Sequence, residues 1–174
     1  MRFEINNSID ILKRTPSLLT ELLKNISLDW STNNEGGETW SPFDVVGHLI
    51  HGEKVDWKDR IEIILGDKSD KTFKKFDRFA QFESSKGKSL NQLLDEFTEL
   101  RNKNICFLTS VNFSSEVLKR TGVHPAFGSV TLSQLLSTWV VHDLNHISHI
   151  CRVMAHQYEK EVGPWIEYMR LLKK

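Results

Sequence analysis

The sequence predicts an all-α fold: a four-helix bundle with two long connections and a short C-terminal helix. Four long segments repeat apolar residues every three or four positions, the period of one helix face, and no strand alternation competes with them. Two of the stretches between these segments are too long to be tight turns. We therefore expect a single domain over residues 1–174, whose helices do not all follow a simple up-down order.

The first two helices are separated by a polar loop. The first carries its apolar residues over positions 5–26, and the pair Thr15-Pro16 interrupts it. Either a new helix begins at Pro16 with Thr15 as its cap, or the helix kinks there. The second helix begins at Ser41, because "SPFD" combines a cap, a proline at the first helical position and an acid that reaches back. We expect it to end near Leu65.

The second half of the sequence contains two further helices and both long connections. Residues 66–88 form the first connection, the third helix begins near Ser89, and residues 114–130 form a second irregular stretch. The fourth helix is expected from Thr131 to about Glu159, and "VGPWIEYMRLL" is a short amphipathic piece after it. Four phenylalanines in the first connection are expected to be buried: Phe73, Phe76, Phe79 and Phe82.

Composition points away from nucleic acids and membranes. The 23 basic and 23 acidic residues form no run of one sign, whereas a nucleic-acid or membrane-surface binder usually carries a lopsided charge. No apolar stretch approaches the roughly 20 residues that span a bilayer, and the start has no secretory-signal pattern. Cys106 and Cys151 make no disulfide framework, and we expect both to be buried packing residues. These features predict a cytosolic protein whose partner is a small molecule or a second copy of itself.

Three histidines fall on the core-facing side of the fourth helix. Burying an imidazole without a partner costs about 1–3 kcal/mol, which is a heavy load for a domain stable by about 5–15 kcal/mol. A metal ion would give each ring a partner, and His142 with His146 has the spacing of two ligands on one helix face. A single inward histidine is usually a hydrogen-bonded core residue, but three together favour a metal site. The face consists of Leu132, Leu135, Trp139, His142, His146, His149 and Val153.

The second helix offers the best third ligand. His48 lies in line with Val45 and Gly52, so we expect it to face the core. Gly52, one turn further on, would leave room beside it for an ion or a ligand. His51 lies about 60° round the helix, and it could replace His48 or lie at the rim of the site.

The fourth helix does not carry a zinc-protease motif. "HDLNH" has the spacing of H-E-x-x-H, but Asp143 stands in place of the catalytic glutamate. Its shorter carboxylate lies on another part of the helix face, where we expect it to orient a neighbour or to face solvent. No catalytic-triad order, phosphate-binding loop or dinucleotide fingerprint is present elsewhere.

The segments "TWSPFDVVGHLIHGE", "GVHPAFGSVTLSQLLSTWVVHDLNHISHICRVMAHQY" and "VGPWIEYM" resemble the DinB-like (DinB/YfiT) family of metal-dependent enzymes over nearly the whole chain. The resemblance implies an up-down-down-up four-helix bundle, often a homodimer. It also implies a divalent metal, usually zinc or nickel, held on the matching positions by His48, His142 and His146. His149 matches a position where the family often has glutamine or histidine. Some members transfer low-molecular-weight thiols such as bacillithiol, mycothiol or glutathione, and others are thought to be hydrolases or isomerases.

The leading hypothesis is a metal-dependent transferase or hydrolase, since three neutral imidazoles leave a divalent ion its full charge and an open position. The alternative is a metal-stabilised binding module without catalysis, in which His149 or His51 closes the coordination sphere. A bundle without metal remains possible only if the histidines bond to buried carboxylates or water. Glu53, Asp77 and His149 are candidates to orient the ligands or move protons, and Trp139 is either a wall of the pocket or a plain core aromatic.

Overall fold

The structure, a computed structural model, describes residues 2–173. Within them the chain forms eight α-helices, one hairpin and two 3-10 turns. The helices are α1 Ile5–Leu23, α2 Leu28–Thr32, α3 Pro42–Val55, α4 Trp57–Leu65, α5 Gln81–Ser84, α6 Leu90–Ser110, α7 Ser115–Leu118 and α8 Leu132–His156. The strands are β1 Thr121–His124 and β2 Gly128–Thr131, and the 3-10 turns are Gly163–Tyr168 and Arg170–Leu172.

Four of these helical segments build the bundle predicted from the sequence. Helix α1 packs against α6 and α8, and α3 packs against the same two helices, so α1 and α3 lie diagonally across the bundle. Helix α4 continues the path of α3 after a break and packs against α8. Core side chains form two layers at opposite ends of the bundle. The layer that each end of a helix contacts shows in which direction the helix runs.

One core layer joins the start of α1, all of α4, the end of α6 and the start of α8. The other joins the end of α1, the start of α3, the start of α6 and the end of α8. Helices α1 and α8 therefore run one way, and α3–α4 and α6 run the other way, which is the up-down-down-up order. Because α4 and α6 are parallel, residues 66–89 must cross the length of the bundle between them.

Side-chain caps set the starts of the three later bundle helices. The hydroxyl of Ser41 accepts a hydrogen bond from the backbone of Asp44, whose carboxylate accepts one in return. Ser89 and Thr131 form the same reciprocal cap at the starts of α6 and α8. The predicted starts of these helices are confirmed. Helix α8 ends at His156, three residues before the predicted end.

The structure excludes one of the two alternatives at Pro16 and corrects one helix prediction. No new helix begins at Pro16, because α1 runs through it and ends at Leu23. The second predicted helix is not continuous to Leu65: Asp56, with φ −120° and ψ −72°, separates α3 from α4.

The connections also differ from expectation. Of the phenylalanines predicted to be buried, Phe73 is buried and Phe76 half-buried, but Phe79 and Phe82 are exposed. The second connection is more regular than predicted, because it contains α7 and an antiparallel hairpin in which Thr121 pairs with Thr131. Phe73 lies directly over Gly122, where a Cβ would approach its ring to 2.3 Å, so the hairpin needs glycine there.

Cys106 is exposed and Cys151 half-buried, so the prediction that both are buried is wrong. Among residues 2–173, none of the helices has the length and apolar character needed to cross a bilayer.

Candidate metal centre

Helices α3 and α8 bring three histidines together in the middle of the bundle. Nε2 of His142 lies 3.2 Å from Nε2 of His48 and 3.1 Å from Nε2 of His146. One nitrogen of each ring lies within 4.8 Å of the others, and His48 and His146 are buried while His142 is half-buried. The geometry thus joins the i, i+4 pair of α8 to the histidine of α3.

All three imidazoles are held neutral. Burial is the largest cause, and it lowers the pKa of His48 to about 4, that of His142 to about 3 and that of His146 to about 2. The next largest cause is a neighbouring histidine in each case: His51 beside His48, His48 beside His142, and His142 beside His146. At neutral pH the rings therefore carry free lone pairs, which is the form that ligates a metal.

Hydrogen bonding within the cluster cannot satisfy these rings. A neutral imidazole nitrogen offers either one N–H or one lone pair in the ring plane, so Nε2 of His142 can make a linear hydrogen bond to only one of its two neighbours. The Nδ1 atoms of His142 and His146 are buried and have no hydrogen-bond partner among the described residues. The cluster is therefore not a self-contained polar core.

The spacing of the nitrogens suits one small divalent ion. Two imidazole nitrogens bound tetrahedrally to zinc, each at about 2.0–2.1 Å, lie about 3.3–3.4 Å apart. The two separations from Nε2 of His142 fall within about 0.3 Å of that value, and the third pair of nitrogens lies within 4.8 Å. His48, His142 and His146 could thus hold such an ion with small side-chain movements.

A cavity of about 400 Å³ opens beside the cluster, and all three histidines border it. Its walls are largely aromatic. The ring of Trp40 lies 4.9 Å from that of His48, and Trp57 places its ring 5.1 Å from that of His142. The remaining side chains that border the cavity are mostly polar or charged: Asp56, Arg60, Phe76, Arg78, His124 and Asn145.

A buried ion-pair network lies on the core side of the cluster. Arg101 is fully buried and donates to both oxygens of Glu53 and to both oxygens of Asp143. Asn104 donates to Glu53, and Thr15 donates to Asp143. The network joins α1, α3, α6 and α8, and it includes Asp143, the residue that follows His142.

The proline in α1 contributes to this network. Pro16 has no N–H, so the carbonyl of Leu12 loses its usual helical donor. Arg101 donates to that carbonyl at 2.9 Å, which satisfies it. The sequence did contain a signal for Arg101 and Asn104, because both lie on the apolar face of α6 between Phe97 and Leu108.

The other predicted site residues lie around the cluster rather than in it. Glu53 is buried and accepts from Arg101, Asn104 and the indole of Trp139, so its contacts lie in the network. Trp139 is fully buried and stacks on Trp57, with ring centres 5.4 Å apart, so it supports a wall of the cavity from behind.

His149 is half-buried, with its ring centre 6.2 Å from that of His146, and it is not part of the cluster. His51 contacts Phe76 and also lies outside the cluster. Asp77 is exposed, accepts from the backbone of Phe79 and is not part of the cluster.

The structure excludes one alternative for Asp143 and corrects the expectation for Gly52. Asp143 does not face solvent, because it is fully buried against Arg101. Gly52 borders the cavity but does not leave free space beside His48. A Cβ at Gly52 would lie 3.1 Å from Nε1 of Trp57, so an indole occupies that position.

The bundle and the cluster together define a helical-bundle protein with a candidate three-histidine metal centre. The chain belongs to the DinB superfamily, whose sequence model matches residues 11–150. No curated protein gives a significant sequence match.

Among solved structures, the fold is similar to that of YfiT from Bacillus subtilis, described as a probable metal-dependent hydrolase with an unusual four-helix bundle topology. The TM-score is 0.73 and the identity 19%, over 94% of this chain and 90% of that chain. At this identity the likeness supports the fold.

Proposed function

We propose that this protein is a metal-dependent enzyme that holds a divalent transition metal, zinc or nickel, through His48, His142 and His146. The observation that carries the proposal is the convergence of three neutral, buried imidazoles on one point beside a cavity. Imidazole nitrogen suits both metals, and their relative availability decides between them in many proteins.

The surroundings of the cluster support an enzyme over a closed, purely structural site. A structural zinc site has four protein ligands, whereas a catalytic site keeps one position for substrate. Within residues 2–173 the cluster has three members, and neither His149 nor His51 belongs to it. The neighbouring cavity has room for a small molecule beside the three histidines.

The reaction we propose is hydrolysis or thiol transfer on a small molecule. A divalent ion bound here supplies Lewis-acid polarisation of a substrate atom. The protein's own residues provide the rest of the site. Trp40 and Trp57 exclude water from two sides of the ligand rings, and Trp139 keeps Trp57 in place by stacking. The Arg101 network holds the backbone of α3 and α8 in register, so that the three ligands keep their spacing.

The test is metal analysis of the untagged protein beside three single variants, His48→Ala, His142→Ala and His146→Ala. We expect close to one transition-metal ion per chain, lost in each variant while the helical circular dichroism remains. His156→Ala is the matched control, because this histidine is also on α8 but pairs with Glu159 away from the cluster. If the unaltered protein takes up neither zinc nor nickel when they are offered, the proposal is wrong.

The non-catalytic module makes a different prediction for the same experiment. If His149 or His51 closes the coordination sphere, its alanine variant should lose metal affinity as strongly as a ligand variant does. We expect both variants to retain the metal, since their rings lie outside the cluster.

A further inference from the structure

The cavity beside the histidine cluster has an uneven charge. It is bordered by one acidic side chain, Asp56, and by two arginines, Arg60 and Arg78. Asp56 and Arg60 form an ion pair, with 2.7 Å between Oδ1 and Nη2, and each is largely buried. These two charges therefore cancel locally, and Arg78 is left as the uncompensated charge at the cavity.

Arg78 is free to bind a ligand. Its guanidinium forms no ion pair and no side-chain hydrogen bond with any of residues 2–173; instead it lies 5.6 Å from the ring centre of Trp40 and 5.4 Å from that of Phe79. Stacking on aromatic faces fixes the plane of the group while leaving its N–H donors at the edge. Asp77, the neighbouring carboxylate in sequence, accepts from the backbone of Phe79 and does not border the cavity.

Arg78 and the three histidines of the cluster border the same cavity. The carboxylates of Glu53 and Asp143 are bonded to Arg101 and do not border the cavity.

A divalent ion held by three neutral imidazoles keeps its full charge, and a guanidinium close by raises the positive potential further. An anion in the cavity relieves this repulsion, whereas a neutral ligand of the same shape does not. From this arrangement, and on the basis of the proposed function, we infer that the substrate is a small organic anion whose carboxylate is bound by Arg78. Its apolar part lies against Trp40 and Phe76, and its reacting group is directed towards the three histidines.

The volume and the lining fit such a ligand. A cavity of about 400 Å³ lies in the range of small-molecule sites. Arginine binds carboxylates with two parallel N–H donors, which orients the ligand as well as attracting it. Arg78 is then a specificity-determining residue, one that selects anionic substrates over neutral ones.

The experiment compares two ligands that differ in charge but hardly in shape: 3-mercaptopropionate and 3-mercaptopropionamide. Each is titrated calorimetrically into the zinc-loaded protein, after the zinc content of every sample has been measured. The unaltered protein should bind the anion more tightly than the amide. In Arg78→Ala this preference should fall by roughly tenfold or more, as expected for loss of hydrogen bonds to a charged group.

Two further variants separate the role of Arg78 from general effects. Arg78→Lys keeps the charge without the paired donors, so it should retain part of the preference. Arg14→Ala, which removes an exposed arginine on α1 that does not border the cavity, should retain all of it.

Failure of this inference is distinguishable from failure of the proposed function. If zinc binds but anion and amide bind equally well, or if the preference is unchanged in Arg78→Ala, the inference is overturned and the metal site stands. If no metal binds, the proposed function fails, and the same titration is made on the metal-free protein. An Arg78-dependent preference for the anion there supports the anion site, and its absence overturns it.

Discussion

Replacing Arg101 by methionine tests whether the buried network holds the bundle together. Arg101 donates five hydrogen bonds, four to the carboxylates of Glu53 and Asp143 and one to the carbonyl of Leu12. Burial lowers the pKa of the guanidinium, but the two carboxylates raise it by more, so the group is charged. Methionine fills a similar volume and removes all five donors.

The expected loss of unfolding free energy is about 3–5 kcal/mol, because the change leaves buried carboxylates without their cation. Some donors remain: Asn104 and Trp139 for Glu53, and Thr15 for Asp143. Because these donors still satisfy part of each carboxylate, the loss of unfolding free energy should stay close to that for one broken buried ion pair. Against a total of about 5–15 kcal/mol for an ordinary domain, the variant should be close to unfolding.

The assay is urea unfolding of the metal-free protein, followed by circular dichroism at about pH 8 and at about pH 5.5. A buried carboxylate without a partner is relieved by taking up a proton, so the loss relative to the unaltered protein should be smaller at the lower pH. The slope of unfolding free energy against urea concentration should be the same in the variant and in the unaltered protein if both unfold by the same transition.

Arg152→Met is the matched control. Arg152 also forms a two-pronged ion pair, with Glu35, but its side chain is 47% exposed. Exposed pairs contribute about 0–1 kcal/mol, so this variant should be nearly as stable as the unaltered protein. If Arg101→Met lost no more stability than Arg152→Met, or if its loss did not depend on pH, the reasoning about the buried network would be refuted.

Three other predictions concern the same core. Burial lowers the pKa values of the three cluster histidines. Below about pH 6.5 the unfolded chain therefore binds more protons than the folded protein does. The metal-free protein should lose stability as the pH falls from about 6.5 towards about 4. The slope of unfolding free energy against pH should approach about 1.4 kcal/mol per pH unit for each histidine, and His142→Ala should reduce it. Gly122→Ala should lower the free energy of unfolding in urea by about 1–3 kcal/mol, because the added Cβ would meet Phe73 at 2.3 Å. Ser129→Ala, on the exposed part of the same hairpin, should change it by less than about 0.5 kcal/mol. Thr15→Val should lower the free energy of unfolding by about 1–2 kcal/mol, because it removes the 2.7 Å hydrogen bond to Asp143. Thr138→Val is the control, since the exposed hydroxyl of Thr138 bonds only to the backbone. An equal loss in Thr138→Val would contradict that explanation.

Features that depend on a few neighbouring residues could be predicted from the sequence. The caps at Ser41, Ser89 and Thr131 each involve a side chain and a backbone group three residues apart, so the letters alone placed three helix starts. The helical period in the same way placed His142 and His146 on one face of α8.

Features that depend on distant residues could not be predicted in this way. The helix breaks at Asp56 although the sequence around it keeps a helical period. No feature of the neighbouring residues distinguishes the buried Phe73 from the exposed Phe79. Asp143 carries a charge that commonly faces solvent, yet it is fully buried because Arg101, 42 positions away, lies opposite it.

The sequence by itself determined the bundle, its helix starts and the faces that carry the histidines, because hydrogen bonding and amphipathic period act over one or two turns. The tertiary structure decided that His48 meets His142 across 94 positions of sequence, that Glu53 and Asp143 share one arginine, and that Arg78 borders the same cavity as the three histidines. A periodic pattern specifies which side of a helix is inward, but only the packing of whole helices sets which inward residue lies opposite, and at what distance.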